Sequence, residues 1–95
     1  MTVDYQPQVH PDLEGRVVEI SFTRSDFTDE PIPVLVISNS DGLHRVSAFH
    51  ASLRQQLALV NPEVGCRLGI RYVGKRKLRN HWRAEFHAYH VAKAA

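Results

Sequence analysis

From Phe49 to Val60 the apolar residues recur at helical spacing, and from Cys66 onward they recur every second position, so the middle of the chain predicts one helix followed by one strand. Phe49, Leu53, Leu57 and Val60 fall on a single helical face, while Ser52, Arg54, Gln55 and Gln56 take the others. Asn61-Pro62 ends the helix, because proline disfavours helical geometry in the residue before it and brings no N–H donor. Gly65 then turns the chain. Cys66, Leu68, Ile70 and Tyr72 face one way and Arg67, Gly69, Arg71 and Val73 the other, the pattern of a half-buried strand.

The flanking segments read as strands. In GRVVEISFTR, Val18, Ile20 and Phe22 alternate with Glu19, Ser21 and Thr23, which predicts a first strand with one wet face. Ser25 to Pro31 is a polar loop that carries Phe27. Ile32 to Asn39 is apolar on both faces and rich in branched residues, as a covered central strand would be, and Pro33 is tolerable near its start. Asp41-Gly42 between two such runs signals a hairpin, so the second and third strands pair. The third strand, Leu43 to Phe49, sets Leu43, Arg45, Ser47 and Phe49 against His44, Val46 and Ala48, and the pattern leaves open which side is buried. A fifth strand from about Ala84 to Val91 alternates poorly: Phe86 and Ala88 share one face, Tyr89 and Val91 the other. That asks for two covered faces or a bulge. Residues 1–14 hold Pro7 and Pro11 and show no period, so they read as a flexible arm with Tyr5 and Val9 as docking points, ahead of a single domain over 15–95.

Three strands, a helix and two more strands exclude a doubly wound fold and do not suit a sandwich. The expectation is an all-β fold with one helix, a five-stranded Greek-key barrel of the OB type with the helix between strands three and four. An SH3-like barrel and a split α+β sheet are the alternatives.

A length of 95 residues allows one domain. With 43% hydrophobic and 23% charged residues, and no apolar run of bilayer length, the composition is that of a globular protein with no membrane span. The N-terminal MTVDYQPQVHPDLEG has neither a basic nor an apolar signal region, and Cys66 is the only cysteine, so a cytoplasmic protein is expected. On the apolar side of its strand, Cys66 reads as a buried structural thiol.

The net charge of +2 conceals an uneven distribution. Acids outnumber bases up to Glu63, after which Arg67, Arg71, Lys75, Arg76, Lys77, Arg79 and Arg83 follow with no acid among them. The run KRKLRNHWR combines what non-specific nucleic-acid binding needs: cations to replace counterions along phosphates, and in Trp82 a flat ring for a base. The same run also fits a solvated loop in which Trp82 caps the barrel end.

Catalysis finds little support. His10, His44, His50, His81, His87 and His90 are scattered, and His87 and His90, three apart on a strand, point to opposite faces. There is no HxH, HExxH, CxxC, GxSxG or P-loop. No catalytic residue, metal ligand or cofactor is expected.

The stretches FHASLRQQL, NPEVGCRLGIRYVGKR and FHAYHV resemble those of small OB-fold, single-stranded-DNA-binding-like proteins of bacteria and their phages, over roughly Gly15 to Val91. The resemblance implies a helix plugging one barrel end and a ligand lying across strands two and three. Its flanks would be the loop from Thr23 to Pro31 and the loop from Lys75 to Trp82. The candidate nucleic-acid-binding residues are accordingly Arg24, Phe27, Arg45, Arg71, Lys75, Arg76, Lys77, Arg79, Trp82 and Arg83. Asp26, Asp29 and Glu30 count against the first loop, since they would repel phosphate. The expected function is sequence-tolerant binding of single-stranded DNA, or of RNA, without chemistry and with room for a homo-oligomer. The alternative is a protein-interaction or assembly module.

Overall fold

The structure is a computed structural model that describes residues 1–24, 29–78 and 81–94, with the side chains of 78 and 81–85 left out of the description. It is mostly β with one helix. The elements are β1 (Thr2–Asp4), β2 (Asp12–Arg24), β3 (Pro31–Asn39), β4 (Gly42–Ser47), α1 (Ala51–Val60), β5 (Arg67–Leu78) and β6 (His81–Ala94), and the strands form one sheet in the order β1-β4-β3-β2-β5-β6. The five expected strands are present, in the expected order around the helix. The sheet has six strands, however, and it is open: among the described residues β4 and β6 do not pair.

The sixth strand comes from the segment read as an arm. Thr2–Asp4 runs parallel to Leu43–Arg45, and the Tyr5 N–H continues the ladder to the Arg45 carbonyl. This pairing occupies a row of β4 backbone groups that would otherwise form a bare edge. Of the two expected docking points, Tyr5 is half-buried against the core and Val9 is exposed. Strand β2 also begins early, and its Leu13 joins the core.

Strand β2 is the axis of the sheet. Its first part, Asp12–Arg16, pairs with β5, and its later part pairs with β3. The change of partner coincides with a bulge between Val17 and Glu19, which resets the side-chain phase. Val17 is therefore fully buried and Val18 exposed, where alternation from Val18 had been expected, and Phe22 stands in solvent. Gly15 permits the close crossing: a β-carbon there would overlap the Ser38 carbonyl oxygen and lie 2.7 Å from Ile37 Cγ2.

Strands β3 and β4 form the hairpin announced by Asp41-Gly42. Asn39 pairs with Gly42, Gly42 has φ 122°, and the Asn39 side-chain oxygen accepts from the Asp41 N–H. Val46 of β4 and Ala48 just past its end are buried, which leaves Leu43 and Arg45 outside. Leu35 and Ile37 of β3 point into the core, whereas Ile32, Val34 and Val36 alternate onto the other face, where Ile32 is buried and the two valines are half-covered.

Helix α1 starts two residues later than its apolar period suggested. His50 is the N-cap, with extended φ −81° and ψ 131°, so Phe49 precedes the helix and lies exposed. Leu53 and Leu57 are buried and Val60 packs partly beneath them, each leucine contributing about 1.5–3 kcal/mol. Asn61 closes the helix in the left-handed conformation, its N–H returning to the Leu57 carbonyl. The helix is bound to β6: Ser52 Oγ donates to the His87 carbonyl, the Val91 N–H to Gln56 Oε1, and Lys93 Nζ to the Asn61 carbonyl. Cys66 is half-buried against the core. No helix is long and apolar enough to cross a membrane among the described residues.

Candidate functional site

The expected basic loop is in fact a hairpin of two strands. Among the described residues β2 accompanies β5 only as far as Arg71, and beyond that point β5 pairs with β6 alone, from Tyr72 opposite Tyr89 to Lys77 opposite Glu85. The pattern of charges concealed this continuation, because Lys75, Arg76 and Lys77 are exposed on both faces of it and show no apolar alternation. Lys75, Arg76 and Lys77 are all exposed on it.

A bulge decides which of these cations share a side. Tyr72 pairs with Tyr89 but Gly74 with Ala88, so Val73 is an extra residue in β5, and Gly74 takes φ 93°. Directly opposed residues of an antiparallel pair lie on the same face. Arg71 opposes His90 and Arg76 opposes Phe86, and Phe86, Ala88 and His90 alternate regularly along β6. The bulge thus brings Arg76 to the outer face already occupied by Arg71. Without it, residues five apart would point oppositely. Lys75, opposite His87, and Lys77, opposite Glu85, take the other face.

Phe86 was missed by sequence reasoning as a site residue. It is 37% exposed directly across from Arg76, which makes it an aromatic surface on the same face as that cation. The available signal was the burial of Tyr89 and Val91: their inward positions force Phe86 outward.

The other candidates are dispersed. Arg24 ends β2 beyond the bend, on the part paired with β3, and is exposed. Arg45 lies on the outer face of β4, separated from β5 by β3 and β2, with its Nε 3.0 Å from Asp4. Arg71 is held by Asp12 at 2.8 Å, with a second contact at 3.4 Å, and this hydrogen bond and charge raise its pKa. Trp82 and Arg83 lie on β6 by backbone position, and their side chains are outside the description. Phe27 and Arg79 are outside the described residues altogether.

At the root of the ribbon, four rings from three elements form a small polar junction. The imidazoles of His50 and His87 stack with centroids 4.1 Å apart and planes 11° from parallel. His50 Nδ1 lies 2.6 Å from the Tyr89 hydroxyl, and His87 Nδ1 lies 2.8 Å from the Tyr72 hydroxyl. In each pair the imidazole tautomer sets which partner donates. Burial lowers the His50 pKa, helped by the neighbouring His87 and by Arg54, so the ring stays neutral at pH 7. Burial, with Tyr72 beside it, pushes the Tyr89 phenol up to about 12. This junction ties the N-terminus of α1 to β5 and β6 where the ribbon begins. Among the described residues no group of three or more His, Cys, Asp or Glu side chains is placed to hold a metal ion.

Comparison with protein-family models, with curated proteins and with solved structures finds no match.

Proposed function

We propose that the chain is a non-catalytic, largely sequence-independent binder of single-stranded nucleic acid, DNA or RNA, built on an OB-type barrel that its N-terminal strand leaves open. The observation that carries this reading is the β5–β6 ribbon, where Arg71, Arg76 and Phe86 share one face and Lys75 and Lys77 take the other. Cations on such a ribbon replace condensed counterions along a backbone, and an exposed phenyl ring on the same face accepts an unpaired base. Stacking on one ring is worth about 1–3 kcal/mol per base, and each phosphate neutralised adds about 0.7 to the logarithmic salt slope.

The scaffold reading is supported by strand order. β5-β2-β3-β4 has the fourth strand of the series beside the first, followed by the second and third, which is Greek-key order. The helix between β4 and β5 and the bent β2 that serves two partners fit the same scheme.

Fluorescence anisotropy of a labelled deoxythymidine oligonucleotide tests the proposal. Binding is expected at low salt and should weaken steeply as salt rises. A flat titration at low salt would refute it.

One observation favours the second reading, an interaction module. Among the described residues β2 pairs on one side only from Glu19 to Arg24, and Phe22 beside that edge is 65% exposed. Sedimentation equilibrium of the chain alone separates the two, since an assembly module self-associates or binds protein irrespective of oligonucleotide.

A further inference from the structure

Every carboxylate of the first fourteen residues meets an arginine. Asp4 pairs with Arg45 at 3.0 Å, Asp12 with Arg71 at 2.8 Å, and Glu14 with Arg67 at 3.5 Å. No lysine or arginine occurs in that segment to offset them. The segment leaves β4 and arrives at β5: the Tyr5 N–H donates to the Arg45 carbonyl, the Tyr5 hydroxyl to the Pro11 carbonyl, and the Tyr72 N–H to that same Pro11 carbonyl. It therefore joins the two arginines, Arg45 and Arg71, that lie on different strands and that the sequence marks as phosphate ligands.

We propose that Asp4 and Asp12 are intramolecular stand-ins for phosphate, occupying Arg45 and Arg71 so that a bound strand must displace them. The inference rests on the nucleic-acid reading and assigns regulation to that site. Its physical basis is that both pairs are largely solvent-exposed, with side-chain exposures of 47–72%, so they are weak, screened by salt and exchangeable. While a carboxylate holds the guanidinium, no phosphate is neutralised there and the cations condensed on that part of the strand stay in place. The masked arginines then add little to affinity or to its salt dependence, although they remain positioned to engage. The N-terminal segment sets how much of the basic surface is in use.

The test compares the charge-matched variants D4N/D12N and D41N/E63Q with the unmodified chain, by anisotropy of a labelled deoxythymidine oligonucleotide across a salt series. Asp41 and Glu63 make no ion pair among the described residues, so D41N/E63Q changes net charge alone. D4N/D12N is expected to bind about tenfold more tightly at low salt, with a logarithmic salt slope steeper by about 1.4, two phosphates at about 0.7 each. Adding R45Q and R71Q to D4N/D12N should remove that gain. Equal tightening by D4N/D12N and D41N/E63Q, or no tightening by either, overturns the proposal and leaves the nucleic-acid reading standing. Absence of binding by every protein overturns both. If D4N/D12N does not fold, D4N and D12N singly decide the matter, each with about half the slope change.

Discussion

Replacing Gly15 with alanine would place a methyl group where β2 crosses from β5 to β3. The new carbon would overlap the Ser38 carbonyl oxygen and stand 2.7 Å from Ile37 Cγ2 and 3.0 Å from the Ser38 carbonyl carbon. Two of those three contacts are to backbone, so relief requires the strands to part rather than a side chain to rotate. Ile37 is itself fully buried and has no empty space to enter. Overpacking of this kind costs about 1–3 kcal/mol. For a domain of this size each kcal/mol lowers the melting temperature by about 4–8 °C, so a fall of roughly 5–20 °C is expected in a thermal melt followed by circular dichroism. Gly69 supplies the control. It sits on β5 opposite Glu14 and Ala92, with nothing within 4 Å of an added methyl. Gly69→Ala should leave stability unchanged or raise it by about 0.5–1 kcal/mol, because alanine loses less backbone freedom on folding. Equal melting temperatures for G15A and the unmodified chain would refute the close crossing, and with it the account of how one strand serves two partners.

Two further predictions concern the interior. His50 has a lowered pKa in the folded chain, so folding favours its neutral ring: stability is complete above the ordinary histidine value of about 6.5 and is lost as pH falls through the lower folded value. Urea midpoints measured between pH 7.5 and 5.5 should therefore decline, and H50N should flatten that decline; identical slopes would exclude His50 as the source. Leu57 is 4% exposed on the packed face of α1, and Leu57→Ala should cost about 2–5 kcal/mol in denaturant unfolding, whereas a loss below 1 kcal/mol would mean that the helix does not cover the core as described.

What the chain's pattern revealed was local. The Ser40-Asp41-Gly42 turn, the Leu53 and Leu57 face, and the alternation of Leu68, Ile70 and Tyr72 each depend on residues close in sequence, and each stands where its period put it. The features that escaped are phase changes and distant pairings. Bulges at Val17/Glu19 and Tyr72/Gly74 reset the alternation, which is why Val18 was assigned inward and why Arg76 was not recognised as sharing a face with Arg71. Pairing of Thr2–Asp4 with Leu43–Arg45 joins segments some forty residues apart, and nothing in three residues of TVD announces a partner. The stacking of His50 on His87 is invisible for the same reason. For the candidate site, the basic run and its place after the fourth strand's apolar half were legible. Its division between two faces, the outward position of Phe86 and the ion pairs on Arg45 and Arg71 required the register.

The central claim is that cations of the β5–β6 ribbon neutralise phosphates, and the salt slope of oligonucleotide binding reads this directly. K75Q/R76Q/K77Q alters only exposed positions of a two-stranded segment, so the fold should persist in a thermal melt. With three cations removed, the logarithmic slope should fall by about 2, at about 0.7 per phosphate on a single strand, and affinity at low salt should drop with it. A variant that binds with the slope and affinity of the unmodified chain would contradict the claim.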